Sequence, residues 1–144
     1  MNTPPRQVCT FTLHDRVFAL DVAGVRSVLP WKPVRRVPLA PDLVEGLMNL
    51  RGEIVMAVDL RVALGLPPRP PDARPMSVVI ATESGVVGLL VDQVGNVEEP
   101  DPDAWEPIAA LPVQRDGVLI AGAFKTPGGL VLLLDSAELL ALCS

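Results

Sequence analysis

The stretch Gly46-Leu47-Met48-Asn49-Leu50-Arg51-Gly52-Glu53-Ile54-Val55-Met56-Ala57-Val58-Asp59-Leu60-Arg61 decides how the rest of the chain is read. Two short segments rich in apolar and β-branched residues, Gly46 to Arg51 and Ile54 to Asp59, flank Gly52, so the run reads as a hairpin. Asp59 closes it, and Leu60 to Leu64 follows as one helical turn. The arrangement recurs at a constant offset of 76: Gly46, Gly52, Val55, Val58, Asp59 and Leu64 correspond to Gly122, Gly128, Val131, Leu134, Asp135 and Leu140. Nearer the N-terminus a second correspondence holds at an offset of 69, where Val17, Phe18, Leu20, Val22, Val25 and Val28 match Val86, Val87, Leu89, Val91, Val94 and Val97. Each half is therefore one copy of a unit: a hairpin, a Val-x-x-Val ledge, a loop, then a Gly-centred hairpin closed by Asp and a helical turn.

Outward from the hairpin, Cys9 to Leu13 and Phe18 to Val22 alternate apolar and polar residues and read as strands joined by a turn at 14 to 16, which assigns His14 to a turn. Ser77 to Ala81, Val86 to Val91, Val118 to Phe124 and Leu130 to Leu134 complete a set of short strands that argues an all-β barrel architecture. Helix is expected only at Pro41 to Glu45, Leu60 to Leu64 and Ser136 to Leu142. In the last, Asp135 or Ser136 caps the N-terminus, and Leu139, Leu140 and Leu142 form the apolar face. Residues 67–75 hold five prolines in nine positions and divide the chain near its middle. A unit of about 65 residues is small for an independent core, so the halves should share one. Val25 and Val28 with Val94 and Val97 then either face each other across a groove or serve as ordinary core.

The chain has 144 residues, 49% of them hydrophobic but only 3% aromatic, so it can build a core and offers few stacking platforms for bases or sugars. A net charge of −5 repels phosphate backbones and anionic membranes, which argues against nucleic-acid and membrane-surface binding. The longest apolar runs fall far short of a spanning helix. Residues 1–7 carry two prolines and no apolar core, unlike a secretory signal, so a cytoplasmic location is expected. Cys9 and Cys143 read as reduced core residues, and two Cys with the single His14 do not make a zinc site. No cofactor or metal is expected, since no phosphate-cradling Gly-rich loop is present. The best catalytic alternative is an aspartic protease, because Leu133-Leu134-Asp135-Ser136-Ala137 resembles the hydrophobic-hydrophobic-Asp-Ser/Thr-Gly/Ala signature of that class, whose catalysis needs two carboxylates sharing a proton. Its repeat mate Asp59, in Val58-Asp59-Leu60-Arg61, lacks the Ser/Thr-Gly turn, and the repeat explains Asp135 as a helix cap.

Further residues resemble the chemotaxis coupling protein family CheW: Phe11-x-Leu13, Val17 to Val22, Val25, Val37-Pro38, Pro41, the opening run 46–61, Val87 to Asp92, Val94, Ile120-x-Gly122 and Leu132 to Asp135. The resemblance covers roughly residues 7–142. It implies one CheW-like domain over 1–144, built as two five-stranded SH3-like β-barrels related by an internal pseudo-two-fold around a shared hydrophobic core, with a short C-terminal helix. The first barrel is expected at about 15–66 and the second at about 76–134, with strand 7–13 and helix 136–142 completing the fold. The implied function is a non-catalytic adaptor that couples chemoreceptor cytoplasmic tips to the regulatory domain of a CheA-type histidine kinase, itself of the same fold. An adaptor for a non-flagellar output is the alternative. Positions matching family receptor contacts are Val25, Ser27, Val28, Arg51, Val94 and Val97; none is assigned to kinase contact. Apolar valines suit a helix laid in a groove, and Arg51 offers a fork to a carboxylate or carbonyl, or else is a solvated turn arginine. Ser27 stands where many family members carry Glu.

Overall fold

The computed structural model describes residues 4–82, 85–107 and 119–142. The strands are β1 (Val8–Leu13), β2 (Arg16–Asp21), β3 (Val25–Leu29), β4 (Val44–Leu50), β5 (Glu53–Asp59), β6 (Met76–Thr82), β7 (Gly85–Val91), β8 (Gln93–Glu98), β9 (Trp105–Pro107), β10 (Ile120–Thr126) and β11 (Gly129–Leu134). Helices α1 (Leu60–Ala63) and α2 (Ser136–Leu142) follow β5 and β11. The chain is all-β in two sheets, with orders β3-β6-β7-β5-β4 and β8-β1-β2-β11-β10-β9. The second sheet has six strands rather than the expected five because three residues, Trp105–Pro107, pair with β10 as an extra edge.

These sheets do not follow the expected division into residues 15–66 and 76–134. The two repeat units exchange their first hairpins. Hairpin β1–β2 pairs with β8 and β11 of the second unit, while hairpin β6–β7 pairs with β3 and β5 of the first. The registers are repeat mates: Leu132 lies beside Phe18 in the parallel β11–β2 pair, and Met56 beside Val87 in the parallel β5–β7 pair. Exchange lets each unit, too small to close its own core, complete its sheet with the other's strands.

The core follows from this exchange, because the central strands are buried on both faces. Phe11, Leu20, Val58, Leu89, Leu134 and Leu139 belong to one cluster shared by both sheets. On the opposite face of the six-stranded sheet, Val8, Ala19, Phe124 and Leu133 form a second cluster with Trp105 against it. Met48, Val55, Ala57 and Leu90 form the third, within the five-stranded sheet. That sheet curls: Ser77 Oγ on β6 donates to Met48 Sδ on β4 at 3.7 Å. Gly88 accommodates the Met48 side chain, since a Cβ there would lie 2.4 Å from Met48 Cε. Among the described residues, no hydrogen-bonded ladder joins the two edges of either sheet.

The paired glycines of the repeat have one cause. A Cβ on Gly46 would lie 2.1 Å from the Arg35 carbonyl oxygen, and one on Gly122 would lie 2.5 Å from that of Glu106. At both places a further segment crosses the strand within backbone contact, at the Arg35–Leu47 bridge and at β9. The expected helical turn at Pro41 to Glu45 is absent. Val44 N–H bonds Pro41 O at 2.9 Å to make a single tight turn, and Val44 then enters β4 opposite Val58. The other two helices form as expected, as does the turn His14-Asp15, where His14 has φ 60°. Cys9 is a buried free thiol whose burial pushes its pKa up; Val118 and Cys143 lie outside the described residues.

Candidate functional site

The two Val-x-x-Val ledges are edge strands, which their spacing of three had concealed. On β3, Val25 faces Ile80 and Val28 faces Val78, with a register shift between them; on β8, Val94 faces Phe11 and Val97 faces Cys9, again with a shift. Each strand carries a bulge, yet burial along β3 alternates residue by residue, so a spacing of three puts the two valines of that ledge in different surroundings. Each ledge therefore splits. Val25 and Val94 pack against the shared core cluster, whereas Val28 and Val97 remain 39% and 59% exposed. At the β8 bulge Thr10 Oγ1 both donates to Asn96 O and accepts from Asn96 N–H, each at 3.1 Å, replacing the interrupted ladder.

Arg51 sits at the tip of the β4–β5 hairpin. Arg51 and Gly52 have φ 53° and 84°, the two left-handed residues of a tight hairpin, and Asn49 Oδ1 accepts from Gly52 N–H at 2.9 Å. Gly52 takes this conformation freely, whereas at Arg51 it costs about 1–2 kcal/mol. Strained backbone of this kind concentrates at binding sites. Arg26 of β3 reaches the same hairpin through Arg26 Nη1 to Glu53 Oε1 at 3.0 Å, with both side chains about half exposed. Between β3 and the hairpin lies a cleft of about 490 Å³ lined by Ser27, Leu29, Lys32, Leu50 and Arg51. Ser27 and Arg51 thus meet in one cleft and Val28 adjoins it on β3, while Val94 and Val97 belong to the other sheet.

A family model for the CheW-like domain matches residues 7–143. The chain belongs to the CheW-like domain family. It is similar to the chemotaxis protein CheW of Rhizobium meliloti, 28% identical over 130 residues that cover 90% of this chain and 84% of that one. To the probable chemotaxis protein CheW of Rhizobium etli it is 34% identical over 97 residues, 67% of this chain and 63% of the relative. The crystal structure of the scaffolding protein TtCheW from Thermoanaerobacter tengcongensis superposes with a TM-score of 0.81 at 26% identity, covering 92% of this chain and 90% of that one. The protein is a CheW-like chemotaxis scaffold.

This CheW-like domain also holds a polar cluster that nothing in its sequence pattern announced. Arg61, only 8% exposed, donates Nε and Nη2 to the two carboxylate oxygens of Asp92, and Nη1 to Pro67 O at 2.9 Å and Pro68 O at 3.3 Å. His14 N–H donates to Asp92 Oδ2 at 2.8 Å. Arg69 donates to Asp59 Oδ1 at 2.8 Å, and the same oxygen accepts from Arg61 N–H at the start of α1. Burial pushes the Asp92 pKa up, but the Arg61 and His14 hydrogen bonds and the charges of Arg61 and Arg69 outweigh it, leaving the group below the ordinary carboxylate range. Arg61 is raised, chiefly by its hydrogen bond to Asp92. The cluster straps the proline-rich link across the seam, and Arg74 over the Trp31 ring at 4.7 Å pins its far end.

The two aspartates of the protease alternative both act as caps. Asp135 Oδ1 accepts from Ala137 N–H at 3.1 Å and Glu138 N–H at 3.2 Å, while Asp59 caps α1 and pairs with Arg69. Among the described residues, no three His, Cys, Asp or Glu side chains cluster to hold a metal, and no helix is long and apolar enough to cross a membrane.

Proposed function

We propose that this scaffold couples the cytoplasmic tips of chemoreceptors to the regulatory domain of a CheA-type histidine kinase, acting by binding alone. The observation that carries the reading is the pair of bulged edge strands, which leave Val28 and Val97 exposed while Val25 and Val94 anchor the strands in the shared core. An exposed apolar residue on a braced edge suits a helix that presents an apolar stripe at intervals of three and four residues. Little ordering entropy is then lost on docking, since the strands are held before the partner arrives. Val25, Ser27, Val28 and Arg51 form the receptor surface on one sheet, and Val94 and Val97 on the other. The kinase regulatory domain engages a different surface, so both partners are held together. In this role the protein works in the cytoplasm, recruited to receptor arrays at the membrane.

Co-sedimentation tests the proposal. Membranes bearing receptor arrays should carry the protein into the pellet, and the kinase should follow only when the protein is present. Recruitment of neither partner would overturn it.

A further inference from the structure

A second cavity, of about 380 Å³, opens where the proline-rich link meets the β1–β2 turn, and it shares no lining residue with the β3 cleft. Its walls carry Arg61, Arg69, Arg74, His14 and Gln93 against a single carboxylate, Asp92. That carboxylate is already engaged, accepting from Arg61 Nε and Nη2 and from His14 N–H. Arg61 is engaged as well, since its Nη1 goes to the carbonyls of Pro67 and Pro68. Arg69 gives only Nη1, to Asp59, and among the described residues its Nε and Nη2 have no acceptor. Arg74 has no carboxylate within salt-bridge distance among the described residues, and its guanidinium lies over the Trp31 ring at 4.7 Å. A guanidinium stacked in this way keeps its N–H donors in its own plane, clear of the ring. Three arginines are thus offset by two carboxylates, Asp59 and Asp92, leaving one positive charge in excess on a chain whose net charge is −5. Asp15 and Asp72, the nearest acids in sequence to His14 and Arg74, do not line the cavity.

We infer that this cavity binds a small phosphorylated anion, with its phosphate oxygens held by Arg69 and Arg74 and its body lodged against His14 and Gln93. The free donors decide the chemistry. One fork satisfies a planar carboxylate, whereas a phosphate presents oxygens in several directions and takes donors from two guanidinium groups at once. The volume lies in the range of small-molecule sites and leaves room for more than the phosphate itself. Among the described residues that line the cavity, the one aromatic ring is the His14 imidazole, and Arg74 covers the Trp31 face. A nucleobase therefore lacks a stacking platform, and a polyol or sugar phosphate fits better than a nucleotide. Both forks are held before the ligand arrives, Arg69 by Asp59 and Arg74 by Trp31, so little side-chain entropy is lost on binding. The ligand touches the β1–β2 turn of the six-stranded sheet and the link that leads into β6 of the five-stranded one, so its binding braces the seam. The inference does not depend on the receptor-coupling reading.

The test uses the full chain with glycerol phosphate, adenosine monophosphate and succinate, each at an ionic strength matched with sodium chloride, and follows binding by titration calorimetry and thermal melts. Glycerol phosphate should bind saturably and, at one hundred times its Kd, raise the melting temperature by about 5–10 °C. Succinate should bind at least about ten-fold more weakly, and adenosine monophosphate no more tightly than glycerol phosphate. Arg74→Gln should weaken glycerol phosphate about ten-fold, as expected for losing a charge-assisted fork. Arg74→Lys, which keeps the charge and the contact with Trp31 but not the fork, should fall between that variant and the native chain. Arg51→Gln, in the separate cleft, should bind as the native chain does. Absence of saturable binding by either phosphate ester at millimolar concentration would overturn the inference. A rise in melting temperature that Arg74→Gln and Arg74→Lys share in full overturns it too, because that is general salt stabilisation. Succinate binding as tightly as glycerol phosphate, or adenosine monophosphate binding ten-fold more tightly, contradicts the assigned ligand class.

Discussion

Replacing Asp92 by Asn should destabilise the fold by about 2–3 kcal/mol at neutral pH. Removing one partner of a buried ion pair costs about 3–5 kcal/mol, and the lower range applies here because the Asp92 side chain is 20% exposed and Asn keeps one acceptor oxygen. The loss is concentrated because three elements meet at this carboxylate: the β1–β2 turn through His14 N–H, α1 through Arg61, and the start of β8. Arg61 would keep its bonds to Pro67 O and Pro68 O but face a neutral amide. For a chain of this length each kcal/mol shifts the melting temperature by about 2–4 °C, so a fall of about 5–10 °C is expected. The pH dependence has a definite sign. The Asp92 pKa is lowered in the folded state, so its stabilisation is complete above the unfolded carboxylate value near about 4 and is lost as pH falls through the folded value. Thermal melts of the native chain and Asp92→Asn across this range should therefore converge on the acid side. Curves that coincide at pH 7, or a gap that does not narrow in acid, would refute the view that a charged clasp joins these elements.

Other expectations are narrower. Arg51→Asn should raise stability by about 0.5–1 kcal/mol, because Asn tolerates the left-handed backbone better, while weakening receptor-fragment binding; a lower melting temperature would assign the arginine side chain to the fold. Gly46→Ala should lower stability by about 1–3 kcal/mol, since its Cβ would lie 2.1 Å from Arg35 O; an unchanged denaturation midpoint would mean that the 30–41 segment shifts freely away from β4. Asp135→Ala should cost about 1 kcal/mol through loss of the cap on α2, read by denaturant titration, and no loss would show α2 to be held without that cap.

The hairpin 46–61 and its mate 122–140 were legible because Gly, Asp and paired apolar segments are local signals that survive in both copies. The strands around Phe18, Val78, Val87 and Leu132 were visible for the same reason. Which strands pair was not visible, since Phe18 beside Leu132 and Val87 beside Met56 are equally apolar combinations, and the exchange of hairpins depends on the crossing chain between β5 and β6. The ledges were seen as valines but not as strands, because a bulge shifts the period-two pattern by one residue. At Pro41 to Glu45 a Pro-Asp pair before Leu43 and Val44 suits a helix start and a tight turn equally, and pairing of Val44 with Val58 settled it. Ser27 and Arg51 stand 24 positions apart, and only the curling of a sheet brings them to one cleft. The clasp of Arg61, Arg69, Asp59 and Asp92 carries no sequence signature, since charged residues at the ends of elements and in the links between them are ordinarily solvated.

Receptor control of the kinase tests the central claim most directly. Receptor-bearing membranes and the CheA-type kinase are combined with and without this protein, and kinase autophosphorylation is measured before and after receptor ligand is added. Coupling predicts that the protein makes autophosphorylation depend on the receptors and respond to their ligand. Kinase activity indifferent to receptors and ligand, with the folded protein present at saturating concentration, would contradict it.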